Sequence, residues 1–165
     1  MLRVGLLLAV LLAGCGQDLS PAERAAEEER AIALVHKGNA AMPPLREVIP
    51  EPILYPDIER HNLSGAGCNY APGTSLGTRV VARPADAFVK IDGAVQRLAA
   101  DPGSRELQLG SRSLYIGREY ELRLELAGEG AQSGTSTVDF EGTVSLRDQY
   151  GRVVYQGSGL AQCGS

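Results

Sequence analysis

The sequence is poor in the residues and motifs that enzymes use near neutral pH. Its 165 residues include three cysteines, two histidines and no tryptophan. The spacings G-x-x-x-x-G-K, G-x-G-x-x-G and H-E-x-x-H do not occur, and there is no Asp-rich calcium loop. These absences argue against nucleotide, dinucleotide and zinc-protease sites. We therefore expect no cofactor, no metal and no catalytic activity.

Positively charged residues are fewer than negatively charged ones. Asp and Glu number 20 against 16 Lys and Arg, which gives a formal net charge of -4. Nothing electrostatic favours binding to a polyanion, so nucleic acid is not expected as a partner. Arginine outnumbers lysine by 14 to 2, a bias that would suit anion recognition by guanidinium groups. Because the arginines are scattered along the chain, we attribute the bias to the base composition of the genome.

The long hydrophobic run of the sequence lies at the N-terminus. Residues 4–13 are almost all apolar and follow Arg3, but a membrane-spanning helix needs about 20 such residues. The run is typical of a signal peptide that occupies residues 1–14. It ends in Leu12-Ala13-Gly14-Cys15, which resembles the lipobox of bacterial lipoproteins. The alternative is an ordinary secretory signal in which Cys15 is incidental.

The lipobox resemblance implies a lipid anchor and a location. In lipoproteins the Cys thiol is acylated, with palmitate among the acyl chains, and an Asp after it retains the protein at the inner membrane. Here that residue is Gly16. The resemblance therefore implies a protein anchored through Cys15 in the outer membrane and facing the periplasm, with the inner membrane as the alternative. Buried acyl chains would supply the membrane affinity without a basic patch.

The two remaining cysteines are Cys68 and Cys163. In an oxidising compartment their pairing leaves no free thiol, so the sequence predicts a disulfide between them. The alternative is a metal site that adds His36 and His61. Structural zinc ligands usually come in close-spaced pairs, and no such pair occurs here, so the disulfide is favoured.

Two segments precede the predicted β-domain. Ser20-Pro21-Ala22-Glu23 is a capping box, and it predicts a helix over residues 20–37 that Gly38 ends. We interpret residues 15–41 as a spacer that lifts the domain off the membrane; a helix that docks on a partner is the alternative. Residues 42–60 are Pro-rich, which predicts an extended segment that lies on this protein's own domain or in a partner's groove.

Residues 61–165 show the two-residue hydrophobic period of half-buried β-strands. An Asp92-Gly93 hairpin and a turn at residues 148–151 join some of them. With about seven or eight strands, the pattern predicts an antiparallel sandwich or small barrel. The candidate strands are residues 78–82, 88–91, 94–98, 106–109, 113–116, 120–126, 138–146 and 153–156.

One cluster of polar residues could support acid–base chemistry. Asp57, Glu59 and His61 lie close together just before Cys68, and a carboxylate pair with an imidazole can transfer protons. A solvated turn has the same composition, and we favour that interpretation. A small hydrolase that uses these residues remains an alternative function.

The order of several landmarks is similar to that of the periplasmic lipoprotein inhibitors of C-type lysozyme. The landmarks are Ile91-Asp92-Gly93, Leu98, Ser111 to Tyr115 and Tyr120-Glu121-Leu122. The resemblance implies a compact β-barrel with a disulfide, although residues 111–115 do not match the Ser-Gly-x-x-Tyr motif of that family. Our interpretation is a monomeric, lipid-anchored binding or envelope-assembly protein with a possible envelope protein partner; a lysozyme-type hydrolase inhibitor is the alternative.

Overall fold

The computed structural model describes residues 20–165, so the predicted signal peptide and Cys15 lie outside the described residues. The chain divides into two compact units, and the second runs from Pro44 to Ser165. Each unit is described by itself below. No helix within residues 20–165 is long and apolar enough to cross a membrane.

In the described part of the first unit, residues 20–43, the chain forms the helix α1, which spans Pro21–Ala40. Its capping box forms as predicted: the backbone N–H of Ser20 donates to the Glu23 carboxylate at 2.8 Å, and the Glu23 N–H donates to the Ser20 hydroxyl at 3.3 Å. The predicted end at Gly38 is wrong, because the helix continues to Ala40. The prolines at positions 43 and 44 end it instead, since a helix rarely continues into a residue that precedes proline.

The second unit is a closed barrel of eight antiparallel strands in sequence order. This confirms the predicted mainly β fold and selects the barrel over the sandwich. Closure comes from pairing of the first and last strands over six residue pairs. The strands are β1 Gly67–Pro72, β2 Val80–Ala82, β3 Asp86–Ile91, β4 Ala94–Ala100, β5 Leu114–Ile116, β6 Tyr120–Gly134, β7 Thr137–Asp148 and β8 Val153–Gly164.

Apolar side chains fill the interior of the barrel. On β6, for example, Leu122 and Leu124 are fully buried while Arg123 and Glu125 are exposed. The alternation in the sequence therefore does separate a buried face from a solvent-exposed face. Eight strands give an interior just wide enough for side chains to fill. Other fully buried members include Tyr70, Val80, Val89, Leu98, Tyr115, Val144 and Leu146.

The buried Tyr70 and the half-buried Tyr155 meet beside a glycine of β8. A Cβ atom on Gly157 would collide with the hydroxyl of Tyr155 and lie 2.9 Å from the hydroxyl of Tyr70. Glycine is therefore required at this position because two large side chains meet there. Burial, together with the neighbouring Tyr155 hydroxyl, raises the pKa of the Tyr70 phenol.

Both predicted turns are present. Asp92 and Gly93 have φ values of 50° and 75° and connect β3 to β4 with Ile91 opposite Ala94, which is the geometry expected of a two-residue hairpin. In the turn after β7, the N–H of Gly151 donates to the carbonyl of Asp148 at 2.9 Å. The registers of the two hairpins follow from these turns.

Three details of the predicted strands are corrected. β1 lies in a stretch where none of the candidate strands fell, and β8 continues eight residues past the predicted end at Gln156. The expected strand at residues 106–109 does not form. The chain reverses there through a short 3-10 turn in which Leu109 and Gly110 have φ values of 55° and 75°, and a left-handed backbone cannot continue a strand.

An extended segment, residues 44–54, crosses one end of the barrel, and we call it the strap. Its backbone N–H groups donate to three barrel carbonyls: Val48 to Val154 at 3.0 Å, Glu51 to Lys90 at 2.8 Å and Ile53 to Thr78 at 2.8 Å. Val48 is buried in the barrel core, and Ile53 is buried in a smaller cluster with Leu63, Val81 and Phe88. The strap thus packs on its own domain. We call this end of the barrel the strap end.

The predicted extended conformation is wrong for the last part of the Pro-rich segment, which forms a second helix, α2, over Tyr55–His61. Pro56 lies in its first turn, where the absent N–H costs nothing and the fixed φ favours a helix. The helix ends at Asn62, whose left-handed φ of 51° suits asparagine.

At the opposite end, which we call the disulfide end, Cys68 of β1 and Cys163 of β8 lie directly across from each other. Their sulfur atoms are 2.06 Å apart, which confirms the predicted pairing. The buried Ser111 hydroxyl lies 3.5 Å from the Cys68 sulfur and donates to the Gln108 carbonyl at 2.6 Å. The loop between β4 and β5 therefore covers the bond.

Candidate binding sites

Asp57, the first member of the predicted polar cluster, has a structural role. Its carboxylate accepts from the Leu54 N–H at 3.0 Å and from the Lys90 ammonium at 2.9 Å. The hydrogen bond from Lys90 and then that from Leu54 hold the pKa of the Asp57 carboxyl below its usual value, against the effect of burial. The carboxylate begins α2 and fastens it to β3.

The other two members do not join Asp57 in one site. Glu59 is exposed, and its carboxylate raises the pKa of the Tyr55 phenol through a hydrogen bond. His61 is exposed in the last turn of α2 and lines a groove that contains neither of these acids. The three residues therefore have separate surroundings, and their contacts resemble those of a helix that is anchored at one end.

The groove beside His61 has a volume of about 280 Å³ and lies between α2 and the outer face of β2, β3 and β4. Its lining consists of His61, Asn62, Arg83, Asp86, Phe88, Val95 and Arg97. We call it the Arg83–Arg97 groove. Of the lining residues, only His61 was predicted from the sequence as part of a site.

A buried carboxylate organises this groove. Asp86 accepts from the Nε atom of Arg83 at 2.8 Å and from the Nε atom of Arg97 at 3.0 Å. Burial opposes ionisation of Asp86, but these two hydrogen bonds outweigh it and hold the pKa of the carboxyl below its usual value. The carboxylate therefore stays charged and fixes two guanidinium groups in one place.

The register of the predicted hairpin could have revealed part of this arrangement. Once Ile91 is opposite Ala94, Phe88 falls opposite Arg97, and Asp86 lies one diagonal position away on the same face. The contribution of Arg83 has a local signal as well, because it stands three residues before Asp86. Nothing in the sequence indicated that α2 would lie next to this face.

The strap end carries a second candidate site. The inner face of the strap is buried, but on the outer face Leu45, Ile49 and Leu54 are exposed, with Ile49 at 80%. Ile49 also lines a groove of about 580 Å³ with Val153, Tyr155 and Gln156. Leu76, which is 94% exposed in the loop between β1 and β2, adds a further apolar side chain at this end. Ile49 and Val153 are exposed apolar residues of one groove, and adjoining exposed apolar groups are typical of surfaces that bind other molecules.

One motif that sequence analysis overlooked lies in the same loop. Gly73-Thr74-Ser75-Leu76-Gly77 has the G-x-S-x-G spacing of a nucleophile elbow. A nucleophile elbow places its serine on a sharp turn between a strand and a helix, whereas this segment connects two strands. The Ser75 hydroxyl accepts from the Gly77 N–H at 3.1 Å, so it stabilises the loop.

Within residues 20–165 no group of three or more His, Cys, Asp or Glu side chains is placed to hold a metal ion. Cys68 and Cys163 are bonded to each other, and His36 lies on α1 in the other unit. The alternative metal site would need all of these residues together.

The landmarks that resemble those of lysozyme inhibitors differ in exposure, since Leu98 and Leu122 are buried but the Asp92-Gly93 turn is exposed. Ser111 and Tyr115 are fully buried, and the Tyr115 hydroxyl donates to the Arg83 carbonyl at 2.9 Å. These residues stabilise the disulfide end instead of presenting a loop to a partner. Comparison of the chain with protein-family models, with curated proteins and with solved structures finds no match.

Proposed function

We propose that the protein is a lipid-anchored binding or envelope-assembly protein without catalytic activity, held in the outer membrane through Cys15 and facing the periplasm. The observation that supports a binding role best is the two-sided strap. Val48 and Ile53 hold it to the barrel, while Ile49 on the other side is exposed and lines a groove of mixed polar and apolar residues. Such a surface suits an apolar segment of an envelope protein.

The surroundings of the polar cluster support this proposal over a hydrolase. An acid–base pair needs groups within hydrogen-bond reach of each other or of a common substrate. Asp57 is instead bound to Lys90 and to the start of α2, and His61 faces guanidinium groups. Neither environment resembles an active-site dyad.

The lipid anchor is tested by metabolic labelling with an alkyne analogue of palmitate. We expect the natural chain to be labelled and the Cys15→Ser variant to be unlabelled, because the thiol is the acceptor. A variant in which Cys68 and Cys163 are both replaced by Ala is the control and should keep its label. Label on the Cys15→Ser variant would refute the anchor.

The partner surface is tested with a photo-crosslinking residue in living cells. Placed at Ile49 or Val153, it should give one dominant adduct with an envelope protein. The control position is Leu160, an exposed apolar residue on the far half of β8. Equal adducts from Leu160, or none from Ile49, would contradict a binding role for the strap end.

A second candidate function, inhibition of a lysozyme-type hydrolase, is favoured by one observation. The closed barrel with a disulfide is what the resemblance to lysozyme inhibitors implies. The inward placement of Ser111 and Tyr115 weakens the case. An assay of a C-type lysozyme with excess protein separates the two candidates, since our proposal predicts no inhibition.

A further inference from the structure

The Arg83–Arg97 groove has more positive than negative charge fixed in it. Its lining contains two guanidinium groups and a single carboxylate, and this carboxylate is only 6% exposed. Asp86 therefore balances one of the two charges and is itself covered. An excess positive charge is left on the open side of the groove.

The guanidinium groups keep hydrogen-bond donors for a ligand. A guanidinium has five N–H donors in a plane. Arg83 uses its Nε on Asp86 and its Nη1 on the Asn62 carbonyl at 2.8 Å. Arg97 uses its Nε on Asp86, and its side chain is 70% exposed. Since Asp86 holds the guanidinium group of Arg97 at one edge, the opposite edge is oriented before a ligand arrives.

The rest of the lining is partly apolar. Phe88 lies beneath Arg83, whose guanidinium carbon is 4.9 Å from the ring centroid, and Val95 is half-buried at the side. A cation stacked on an aromatic ring loses little hydration when a ligand binds. At about 280 Å³, the groove offers room for an anionic head and a short aliphatic chain.

We propose that the Arg83–Arg97 groove binds a monoanionic organic oxyanion, a carboxylate or a phosphodiester that bears a small apolar substituent. Paired guanidinium N–H groups match the two oxygens of such a head. The single uncompensated charge of the groove matches one negative charge, and Val95 receives the apolar part. This assignment rests on the proposed binding role and deepens it by naming a ligand class.

The test is an NMR titration of the full chain carrying Cys15→Ser, so that acylation plays no part. The Nε–H signals of Arg83 and Arg97 are followed while sodium acetate, sodium valerate or sodium dimethyl phosphate is added, with sodium chloride at equal ionic strength as reference. The proposal predicts saturable shifts with the organic anions and none with chloride. Valerate should bind at least about fivefold more tightly than acetate, because each buried methylene adds about 0.8 kcal/mol.

Three variants locate the site. Arg97→Gln should weaken binding about tenfold, because it removes the charged, bidentate donor. Arg123→Gln, which removes an exposed arginine on another face, is the matched control and should bind like the parent chain. Val95→Thr keeps the shape of the side chain and should abolish the preference for valerate.

The outcomes separate the ligand sources and the two proposals. Binding of the carboxylates alone identifies a carboxylate ligand, and binding of dimethyl phosphate alone identifies a phosphodiester; either supports the site. Shifts that chloride reproduces, or that Arg97→Gln leaves unchanged, overturn it. A failure here leaves the palmitate labelling and the Ile49 adducts unaffected, so it would refute the groove without refuting the proposed function.

Discussion

The two ends of the barrel are closed in different ways. At the disulfide end, a covalent bond joins β1 to β8, and buried polar contacts around Ser111 cover it. At the strap end, an extended segment with few side chains in the core crosses the opening and is held by separate hydrogen bonds. One end is therefore fixed by a covalent bond and the other by hydrogen bonds and a few buried side chains.

This difference matches what each end presents to solvent. Ser111 and Tyr115 at the disulfide end turn inward, whereas Ile49 and Leu76 at the strap end are almost fully exposed. A surface that binds partners must tolerate changes in packing, and segments of low local stability commonly serve that purpose. The comparison makes four quantitative predictions, from the largest effect to the smallest.

Removal of the disulfide should have the largest effect on stability. The double variant Cys68→Ala, Cys163→Ala should lose about 4 to 5 kcal/mol in the free energy of unfolding, since the bond closes a loop of nearly a hundred residues in the unfolded chain. Urea unfolding measures this loss of free energy, and the natural protein with its disulfide reduced should be as unstable as the variant. A loss below about 1 kcal/mol would mean that the disulfide end is held by packing as well.

Substitutions on the two faces of the strap should differ in their effect on stability. Val48→Ala should cost about 2 kcal/mol because it removes buried methyl groups, while Ile49→Ala, at the adjacent exposed position, should change stability by less than about 0.5 kcal/mol. Ile49→Ala should still reduce the crosslinking of Val153 to a partner. Equal destabilisation by the two variants would show that the outer face also packs on the protein.

The hydrogen bonds at Asp86 should make a pH-dependent contribution to the free energy of unfolding. Because the pKa of this carboxyl is lowered in the folded state, its stabilisation is complete above the unfolded pKa of about 3.9 and is lost as the pH falls through the lower folded value. Asp86→Asn should cost about 1 to 2 kcal/mol at pH 7. The gap between the variant and the natural protein should shrink below about pH 4 in urea unfolding. A gap that stays constant down to pH 3 would contradict the assignment.

The smallest effect is expected in the first unit. Ser20→Ala removes the cap of α1 and should weaken that helix by about 1 kcal/mol, which amide exchange of residues 21–40 would detect. The unfolding midpoint of the barrel should not change, because the cap belongs to the other compact unit. A shift of that midpoint would show that the two units are coupled.

Much of the fold follows from local patterns in the sequence. The alternation at residues 120–126 and the Asp92-Gly93 turn predicted β6 and the β3–β4 hairpin because each signal is local and strong. β1 was missed because its sequence, Gly67 to Pro72, contains small residues and ends in proline. Its place in the sheet comes from pairing with β8, which lies almost a hundred residues away.

The candidate sites were less predictable because the residues that form them are far apart in the sequence. Asp57 was predicted to belong to a polar cluster with Glu59 and His61, but its partner, Lys90, is 33 residues away, so its structural role was not visible in the sequence. The Arg83–Arg97 groove needs a turn, a cross-strand neighbour and the end of α2 together. Scattered arginines in a sequence can thus meet on one face of a barrel.

The position of the disulfide has a mechanical consequence for an anchored protein. If a load on the barrel pulls it away from the proposed anchor, tension enters the second unit at Pro44 and loads the strap first. Its hydrogen bonds to Val154, Lys90 and Thr78 are spaced along the segment, so they break one after another. Peeling stops at Cys68, where the covalent bond transfers the load to β8. The segment released before that point extends by at most about 80 Å, so the protein can lengthen under load while its barrel stays closed.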